Sequence, residues 1–198
     1  ALNSLHKKYG AKLVSFAGYE MPIQYPKGII EEHKSTRENA GIFDVSHMGQ
    51  LFIKGDNLLA EDLEKIFPIE LKNCKLNQSK YSFLMNGEAG IHDDLIITKV
   101  VGGFNIVLNA ACKYSDFELL KKLLGDKYEM NLSEELSLIA IQGPKAVKIL
   151  EKIIHGVSEL NFMNGNSFNY LDDSVYITRS GYTGEDGFEI SMKNEYAE

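Results

Sequence analysis

The sequence predicts an α+β fold in which hairpin-rich mixed sheets pack against helices. Short β-rich runs are joined by tight glycine-containing turns, such as Asn86-Gly87 and Val101-Gly102-Gly103, and such turns are typical of β-hairpins. Helical segments lie between these runs without the regular strand–helix alternation of a doubly wound sheet. The 198 residues, 44% of them hydrophobic, suffice for the core of one large domain or of two small ones.

Helices are predicted where apolar residues recur at a spacing of three and four. In the first such segment, Gly41 stands where a left-handed helix cap is expected. In the last, Pro144 stands in the first turn, where proline is tolerated. The predicted helices cover 28–40, 57–66, 113–124 and 144–154.

Strands are predicted where β-rich or alternating apolar runs are bounded by turn residues. They cover 50–54, 81–85, 95–100, 104–108, 136–142, 174–178 and 188–192. The last two flank loop 181–187, which holds three glycines but lacks the Lys-Ser/Thr ending and the following helix of a phosphate-binding loop. This loop is therefore predicted to be a hairpin tip.

Charge and composition exclude several classes of protein. A net charge of −7 argues against a nucleic-acid partner, which usually requires a basic face. No apolar run is long enough for a membrane span, so no membrane partner is expected. Cys74 and Cys112 stand alone and fit a reducing compartment. The first residues carry no apolar signal segment. We expect a cytoplasmic protein, or one of the mitochondrial matrix if the source is eukaryotic.

The adjacent acids Asp93 and Asp94 lie between a turn and a predicted strand. Neighbouring residues of a strand face opposite sides, so only one of the two carboxylates can face a given pocket. Asp94 continues the face that carries Ile96 and Thr98. Two interpretations remain open, namely a capping and solvated pair or one carboxylate held rigidly in a pocket.

Asp44, Ser46 and His47 lie close together in sequence but do not predict a hydrolase. Members of a catalytic triad are related in space and not by adjacency, and the chain has no nucleophile-elbow pattern. The five histidines show no spacing typical of zinc or iron ligands. No metal is therefore expected.

Glu189 lies between Phe188 and Ile190 in an apolar strand. Its carboxylate either faces solvent or accepts hydrogen bonds inside a pocket. A carboxylate pair of acceptor oxygens suits a heterocycle that bears several N–H groups, such as a pterin. The aromatic side chains available as walls for a flat ring are Tyr81, Phe162 and Tyr182.

Five motifs occur in an order that resembles the aminomethyltransferase family, the T-proteins of the glycine cleavage system. The resemblance covers essentially the whole chain, and the combination is specific although no single motif is. The segments are Phe16-Ala-Gly-Tyr-Glu-Met-Pro22, Gly41-Ile-Phe-Asp-Val-Ser-His-Met-Gly49, Gly90-Ile-His-Asp-Asp-Leu95, Ile141-Gln-Gly-Pro144 and 181–189.

The resemblance implies an enzyme that takes an aminomethyl group from the lipoyl arm of the H-protein. Tetrahydrofolate is the co-substrate, and 5,10-methylenetetrahydrofolate and ammonia are the products. By the same resemblance Asp94 is the catalytic carboxylate and Glu189 recognises the pterin. The remaining residues implied to line the folate pocket are Met48, Tyr81, Val107, Asn109, Phe162 and Tyr182.

The resemblance also implies a discontinuous first domain, 1–48 with 136–198, and a second α+β domain over 49–135. The family's C-terminal barrel and some folate contacts are absent from this chain, which we therefore expect to be truncated and inactive alone. Tyr19 and His92 depart from the family pattern. His92 would share the face of Asp94, and could tune it, only in an undistorted strand.

Two other functions are weighed against this one. A folate-dependent demethylase of the same superfamily would move a methyl group from a sulfonium or amine donor. A non-catalytic folate-binding assembly factor related to iron–sulfur maturation would carry a Lys-Gly-Cys-Tyr type motif, which the sequence lacks. The motifs around 44–48 and 181–187 favour the aminomethyltransferase.

Overall fold

The computed structural model describes residues 2–198 and confirms the α+β prediction. Within this range there are five α-helices: α1 Asn3–Lys8, α2 Ile29–Glu38, α3 Asn57–Leu63, α4 Lys113–Leu124 and α5 Ala146–Leu150. The strands are β1 Lys12–Phe16, β2 Tyr19–Gln24, β3 Gly41–Asp44, β4 Gly49–Lys54, β5 Ser79–Met85, β6 Ile91–Val100, β7 Gly103–Leu108, β8 Met130–Ser133, β9 Leu136–Gln142, β10 Gly165–Tyr170, β11 Asp173–Thr178 and β12 Gly187–Lys193. Short 3₁₀ turns cover Gly125–Lys127, Val157–Glu159 and Asn194–Tyr196.

The chain divides into two compact units. One, here called the central unit, is Met48–Glu134, and the other, the split unit, combines Ala1–His47 with Glu135–Glu198. Because both chain segments of the split unit contribute strands to one sheet, β3 can pair with β9 although almost a hundred residues separate them.

The central unit is built on a five-stranded antiparallel sheet in the order β5-β6-β7-β4-β8. Its core joins strand residues to the apolar sides of α3 and α4. The largest fully buried members are Leu51, Ile53, Leu59, Leu63, Phe67, Leu71, Leu84, Ile97, Phe104, Ile106 and Leu108. Burial of such side chains is the main term that holds the two helices on the sheet.

The split unit contains a second antiparallel sheet in the order β10-β11-β12-β9-β3, together with the separate hairpin β1-β2. Its core lies on the side of α5. The buried members are Ile141, Ala146, Leu150, Ile154, Val157, Leu160, Val175, Ile177, Phe188, Ile190 and Met192. Strand β12 has neighbours on both sides, which fixes the direction of each of its side chains.

Two predicted helices are shorter than the apolar spacing suggested. The segment 144–154 is helical only over α5, and Glu151 then accepts hydrogen bonds from the N–H groups of Gly156 and Ser158. The segment 57–66 ends at Leu63, and Glu64 likewise binds two later backbone N–H groups. In both cases the carboxylate stabilises a turn, and the helix ends there instead of continuing.

Gly41 does not cap α2 in a left-handed conformation as predicted. It begins β3 and pairs with Gln142 of β9, and it is not among the glycines of positive φ. A Cβ at Gly41 would lie 2.5 Å from the Thr36 Oγ1 atom. The glycine is therefore required by close packing and not by backbone conformation.

A β-bulge interrupts β6 at His92. Leu84 pairs with Asp93 whereas Met85 pairs with Ile91, so His92 has no partner on β5. A bulge breaks the alternation of side chains between the two faces of a sheet. The condition on which His92 could share the face of Asp94, an undistorted strand, is therefore not met.

Gly103 provides a test of the close pairing between β4 and β7. A Cβ at this residue would lie 2.0 Å from the Ile53 carbonyl oxygen, whereas a Cβ at Gly87 meets no atom within 4 Å. Overpacking of this kind costs about 1–3 kcal/mol. We expect Gly103→Ala to lower the free energy of unfolding by that amount in urea titrations, with Gly87→Ala close to wild type. Equal midpoints for the two variants would contradict the β4–β7 geometry.

Candidate functional site

Asp94 lies on β6 of the central unit, where two side chains fix its carboxylate. The Tyr81 hydroxyl donates to Oδ2 at 2.9 Å, and the Asn109 amide donates to Oδ1 at 3.0 Å. Tyr81 reaches it from β5, and Asn109 directly follows β7. The hydrogen bond to Asp94 raises the pKa of Tyr81, since it requires the protonated hydroxyl group, and burial and the charge of Asp94 act in the same direction. Three residues singled out from the sequence thus form one hydrogen-bonded group.

Asp93 occupies different surroundings from its neighbour. Its Oδ1 accepts hydrogen bonds from the Asp94 N–H and from the Asn109 amide, both at 2.9 Å. Its Oδ2 is buried and receives no N–H or hydroxyl hydrogen from residues 2–198. The Asp116 carboxyl group of α4 lies within hydrogen-bonding reach of Asp93. The two adjacent acids therefore face different groups and are linked by a single amide.

Asp116 is almost fully buried, with 4% of its surface exposed. This burial, together with the Asp93 carboxyl group within hydrogen-bonding reach and the charge of that residue, raises the pKa of Asp116 to about 7. Burial and the same two carboxylates also raise the pKa of the Cys112 thiol. The interior of the central unit here thus favours protonated groups.

Val107 and Met48 were also expected to line the folate pocket. Val107 is half-buried on β7, where it pairs with Ile96 on one side and Gln50 on the other. Met48 is half-buried just before β4. Both belong to the central unit, as do Tyr81, Asp94 and Asn109.

Glu189 lies on β12 of the split unit and is 4% exposed, so the solvent-facing interpretation is wrong. Its Oε2 accepts a hydrogen bond of 2.6 Å from Ser180, whose hydroxyl also contacts Thr178. Its Oε1 is buried and receives no hydrogen bond from the described part of the chain. Burial raises the pKa of Glu189, although hydrogen bonds from Ser180 and Tyr182 act in the opposite direction.

Gln142 anchors the loop 181–187 from inside the split unit. Its amide donates to the Ser180 carbonyl oxygen at 2.8 Å and its Oε1 accepts from the Thr183 hydroxyl at 3.0 Å. Cβ atoms at Gly181 and Gly187 would lie 2.0 Å and 2.6 Å from this side chain. The two glycines therefore allow the loop to close over Gln142, and a side chain at either position would have to displace the Gln142 amide.

Two arginines hold the loop from its outer side. Arg37 donates to the Thr183 carbonyl oxygen at 2.9 Å and pairs with Glu185 at 3.0 Å. Arg179 makes a bidentate contact with Asp186, at 2.9 and 2.6 Å, and also donates to the Leu160 carbonyl oxygen. Bidentate guanidinium–carboxylate pairs are strong and directional. The hairpin tip predicted from the glycines is thus a braced loop.

Phe162 and Tyr182 remain exposed on the split unit, at 70% and 63% of their surfaces. Tyr182 lies in the braced loop and interacts with Glu189, whereas Phe162 lies in the turn before β10. The structure therefore brings Tyr182 and Glu189 together. Large exposed aromatic side chains of this kind are available for contact with a ligand.

A cavity of about 170 Å³ lies elsewhere in the split unit. Asp44, on its wall, accepts a hydrogen bond from the Ser46 N–H and contacts a His6 ring nitrogen at 3.1 Å. His47 packs edge-on against Phe16 and is tilted against Tyr19. The Asp44 carboxylate is thus engaged in shaping the turn.

Residues 2–198 contain neither a metal-binding cluster nor a membrane-spanning helix. No cluster of three or more His, Cys, Asp or Glu side chains is arranged to hold a metal ion. No helix is both long enough and apolar enough to cross a membrane.

Comparison with known proteins gives one family for almost the entire chain. A family model described as the GCVT N-terminal domain matches residues 2–198. The chain belongs to this family.

Curated relatives agree with that assignment. An aminomethyltransferase of Dictyostelium discoideum, described as mitochondrial, is 40% identical over 100% of this chain and 51% of its own length. One from Thermoanaerobacter pseudethanolicus is 41% identical over 99% of this chain and 54% of its own length. The chain therefore spans about half the length of these relatives.

Solved structures support the fold as well. The glycine cleavage system aminomethyltransferase T of Bartonella henselae is 42% identical, with a TM-score of 0.90 over 99% of this chain and 54% of that one. A heterotetrameric sarcosine oxidase of Corynebacterium sp. U-96 has a TM-score of 0.60 at 14% identity, over 84% of each chain. The second likeness shows a common fold only.

Sequence reasoning missed the residues that support these groups. Asp116 precedes Leu120 and Leu124 by four and eight positions and so lies on the buried stripe of α4. A charged residue at such a position is the available signal. Gln142, Arg37 and Arg179 gave no comparable signal, because their contacts join segments far apart in sequence.

Asn109 provides a test of the carboxylate group in the central unit. Asn109→Ala removes the donor shared by Asp93 and Asp94 and leaves partly buried carboxylate oxygens unsatisfied, which costs about 1–3 kcal/mol. We expect the free energy of unfolding to fall by that amount in urea titrations. Asn131→Ala, at an exposed position of β8, serves as the control and is expected to match wild type. A stable Asn109→Ala protein would show that the amide holds neither acid.

Proposed function

We propose that this chain binds tetrahydrofolate and forms part of an aminomethyltransferase of the glycine cleavage system. The observation that carries the proposal is the Glu189 carboxylate, which is buried yet has one oxygen with no donor among residues 2–198. A buried acceptor without a partner is costly unless a ligand supplies the hydrogen. A reduced pterin presents several N–H groups on one edge and fits this need.

The braced loop supports the same role. Gln142, Arg37 and Arg179 fix the backbone on either side of Ser180 and Tyr182, and both of these residues interact with Glu189. An acceptor that is held in place before binding loses little entropy when the ligand arrives. Tyr182 also offers an exposed ring against which a flat heterocycle can pack.

Asp94 is proposed to act in the transfer step. The C–S bond between the aminomethyl group and the lipoyl arm breaks, the C–N bond to the departing ammonia breaks, and two C–N bonds to the folate nitrogens form. The two folate N–H hydrogens leave with ammonia and with the lipoyl thiol. Cationic charge develops at the carbon as it moves, and a fixed carboxylate stabilises that charge. Tyr81 and Asn109 keep Asp94 in one orientation, so little reorganisation is needed.

The donor is proposed to be the lipoylated H-protein, since the Bartonella henselae structure, 42% identical to this chain, is described as a glycine cleavage system aminomethyltransferase. Tetrahydrofolate acts as a co-substrate, and the proposed chemistry requires no metal. The proposed location is the cytoplasm, or the mitochondrial matrix in a eukaryotic source. The Dictyostelium relative is described as mitochondrial.

Glu189 is tested by folate affinity. Glu189→Gln replaces an acceptor with a group that also carries N–H donors, which would oppose the N–H groups of the pterin. We expect binding of tetrahydrofolate to this chain to weaken by roughly 1–3 kcal/mol in isothermal titration calorimetry. Glu159→Gln, at an exposed position, is the matched control. Unchanged affinity in Glu189→Gln would refute the assignment of the pterin site.

Asp94 is tested by turnover in the full-length protein. Asp94→Asn keeps the size of the side chain but removes its charge, and loss of one preorganised group that stabilises developing charge costs about 10²–10³-fold in kcat. We expect kcat for H-protein-dependent methylenetetrahydrofolate formation to fall within that range, with a smaller change in folate affinity. Asp126→Asn, at an exposed position, is the control. Full activity of Asp94→Asn would exclude the proposed role. If the wild-type protein formed methyltetrahydrofolate from sulfonium or amine donors and not methylenetetrahydrofolate from the H-protein, it would be a demethylase.

A further inference from the structure

Asp116 is a buried acid to which neither the family comparison nor the proposed reaction gives a role. It lies in the first turn of α4, with its N–H bonded to the Cys112 carbonyl oxygen. Its Oδ2 and the Oδ2 of Asp93 are both buried, and neither receives a hydrogen bond from an N–H or a hydroxyl group in the described chain. The two carboxyl groups are within hydrogen-bonding reach of each other.

Two ionised carboxylates cannot remain in contact at such a site without a large cost, because their charges repel and neither is solvated. One proton between them removes the repulsion and satisfies both orphaned oxygens at once. We propose that Asp93 and Asp116 share one proton, and that this protonated pair positions Asn109 and Asp94. The second part of this inference rests on the proposed function.

The contacts give the pair a direct route to Asp94. With Oδ2 engaged by Asp116, the other oxygen of Asp93 is free to accept from the Asp94 N–H and from the Asn109 amide. The same amide then donates to Asp94 Oδ1. Asp93 therefore holds the backbone of Asp94 directly and its carboxylate through Asn109. Asp116 is a positioning residue, since its action reaches Asp94 only through Asp93.

Other charges around Asp116 do not replace this proton. The titratable groups beside it are Asp93 on β6 and Cys112 just before α4. Strand β4 packs against α4, and its lysine, Lys54, pairs with Glu129. The Gly125–Lys127 turn packs on the far end of α4, where Lys127 pairs with Asp62 and Asp126 is exposed. No cation among these residues is paired with Asp116.

The shared proton gives the central unit a defined pH dependence. Burial and Asp93 raise the pKa of Asp116 from 3.8 to about 7 in the folded chain. Between these values the folded state binds more protons than the unfolded state, so stability falls as pH rises. The contribution of this proton to stability is complete below about pH 4, declines above that value as the carboxyl group of the unfolded chain ionises, and is lost as pH passes through 7.

The experiment compares wild type with Asp116→Asn, whose amide can donate to Asp93 but cannot titrate, and with Glu118→Gln, an exposed change on the same helix. The ¹⁵N–¹H signals of the Asn109 side-chain amide and of the Asp94 backbone amide are followed by NMR from pH 5 to 9. We expect both to shift with a midpoint near 7 in wild type and in Glu118→Gln, and to stay constant in Asp116→Asn. Signals that titrate in Asp116→Asn, or do not titrate in wild type, would overturn the shared proton.

The positioning role is read from kinetics of the full-length protein at pH 8.5, where wild type has lost the proton. Displacement of a reacting group by about 1 Å costs up to about 100-fold in rate. We expect Asp116→Asn to show a higher kcat than wild type at this pH and an equal kcat at pH 6, with KM little changed. Identical kcat profiles of the two proteins would overturn this role. A wild type with titrating signals but no folate binding would instead refute the proposed function and leave the shared proton intact.

Discussion

A carboxyl group removed from water must find hydrogen-bond donors or keep its proton, and much of the architecture around the candidate residues follows from this constraint. Asp94 is partly buried and takes donors from Tyr81 and Asn109. One oxygen of Asp93 and one of Asp116 are buried and lack donors from the described chain. Glu189 has a donor for one oxygen only. We propose that a shared proton supplies the missing donor between Asp93 and Asp116, and that a pterin N–H group supplies the one that Glu189 lacks.

The backbone makes these arrangements possible. A bulge at His92 shifts the register of β6 just before the two acids, and each carboxylate then meets its own set of partners. In the split unit, glycines at 181 and 187 let the loop approach Gln142 more closely than any side chain would permit. The rigid strands and the braced loop hold the Asp94 and Glu189 carboxylates in a fixed orientation before a ligand binds.

The sequence was most informative where structure is local. Turn residues identified the β5–β6 and β6–β7 hairpins, and apolar spacing identified α2 and α4. It failed at 144–154, where the Glu151 carboxylate bonds to later N–H groups and a turn replaces helix. Asp94 and Glu189 stood out from the motifs. Arg37 did not, because its contacts cross between distant segments and only the folded chain reveals them. The signal for Asp116 was its position on the buried stripe of α4.

The central claim is that the Glu189 carboxylate is an acceptor built for the N–H edge of a reduced pterin. A crystal structure of this chain with tetrahydrofolate tests it most directly. The account predicts pterin N–H nitrogens at about 2.7–3.2 Å from Glu189 Oε1, with Ser180 still bonded to Oε2. A pterin bound elsewhere, with Glu189 Oε1 still lacking a donor, would contradict it.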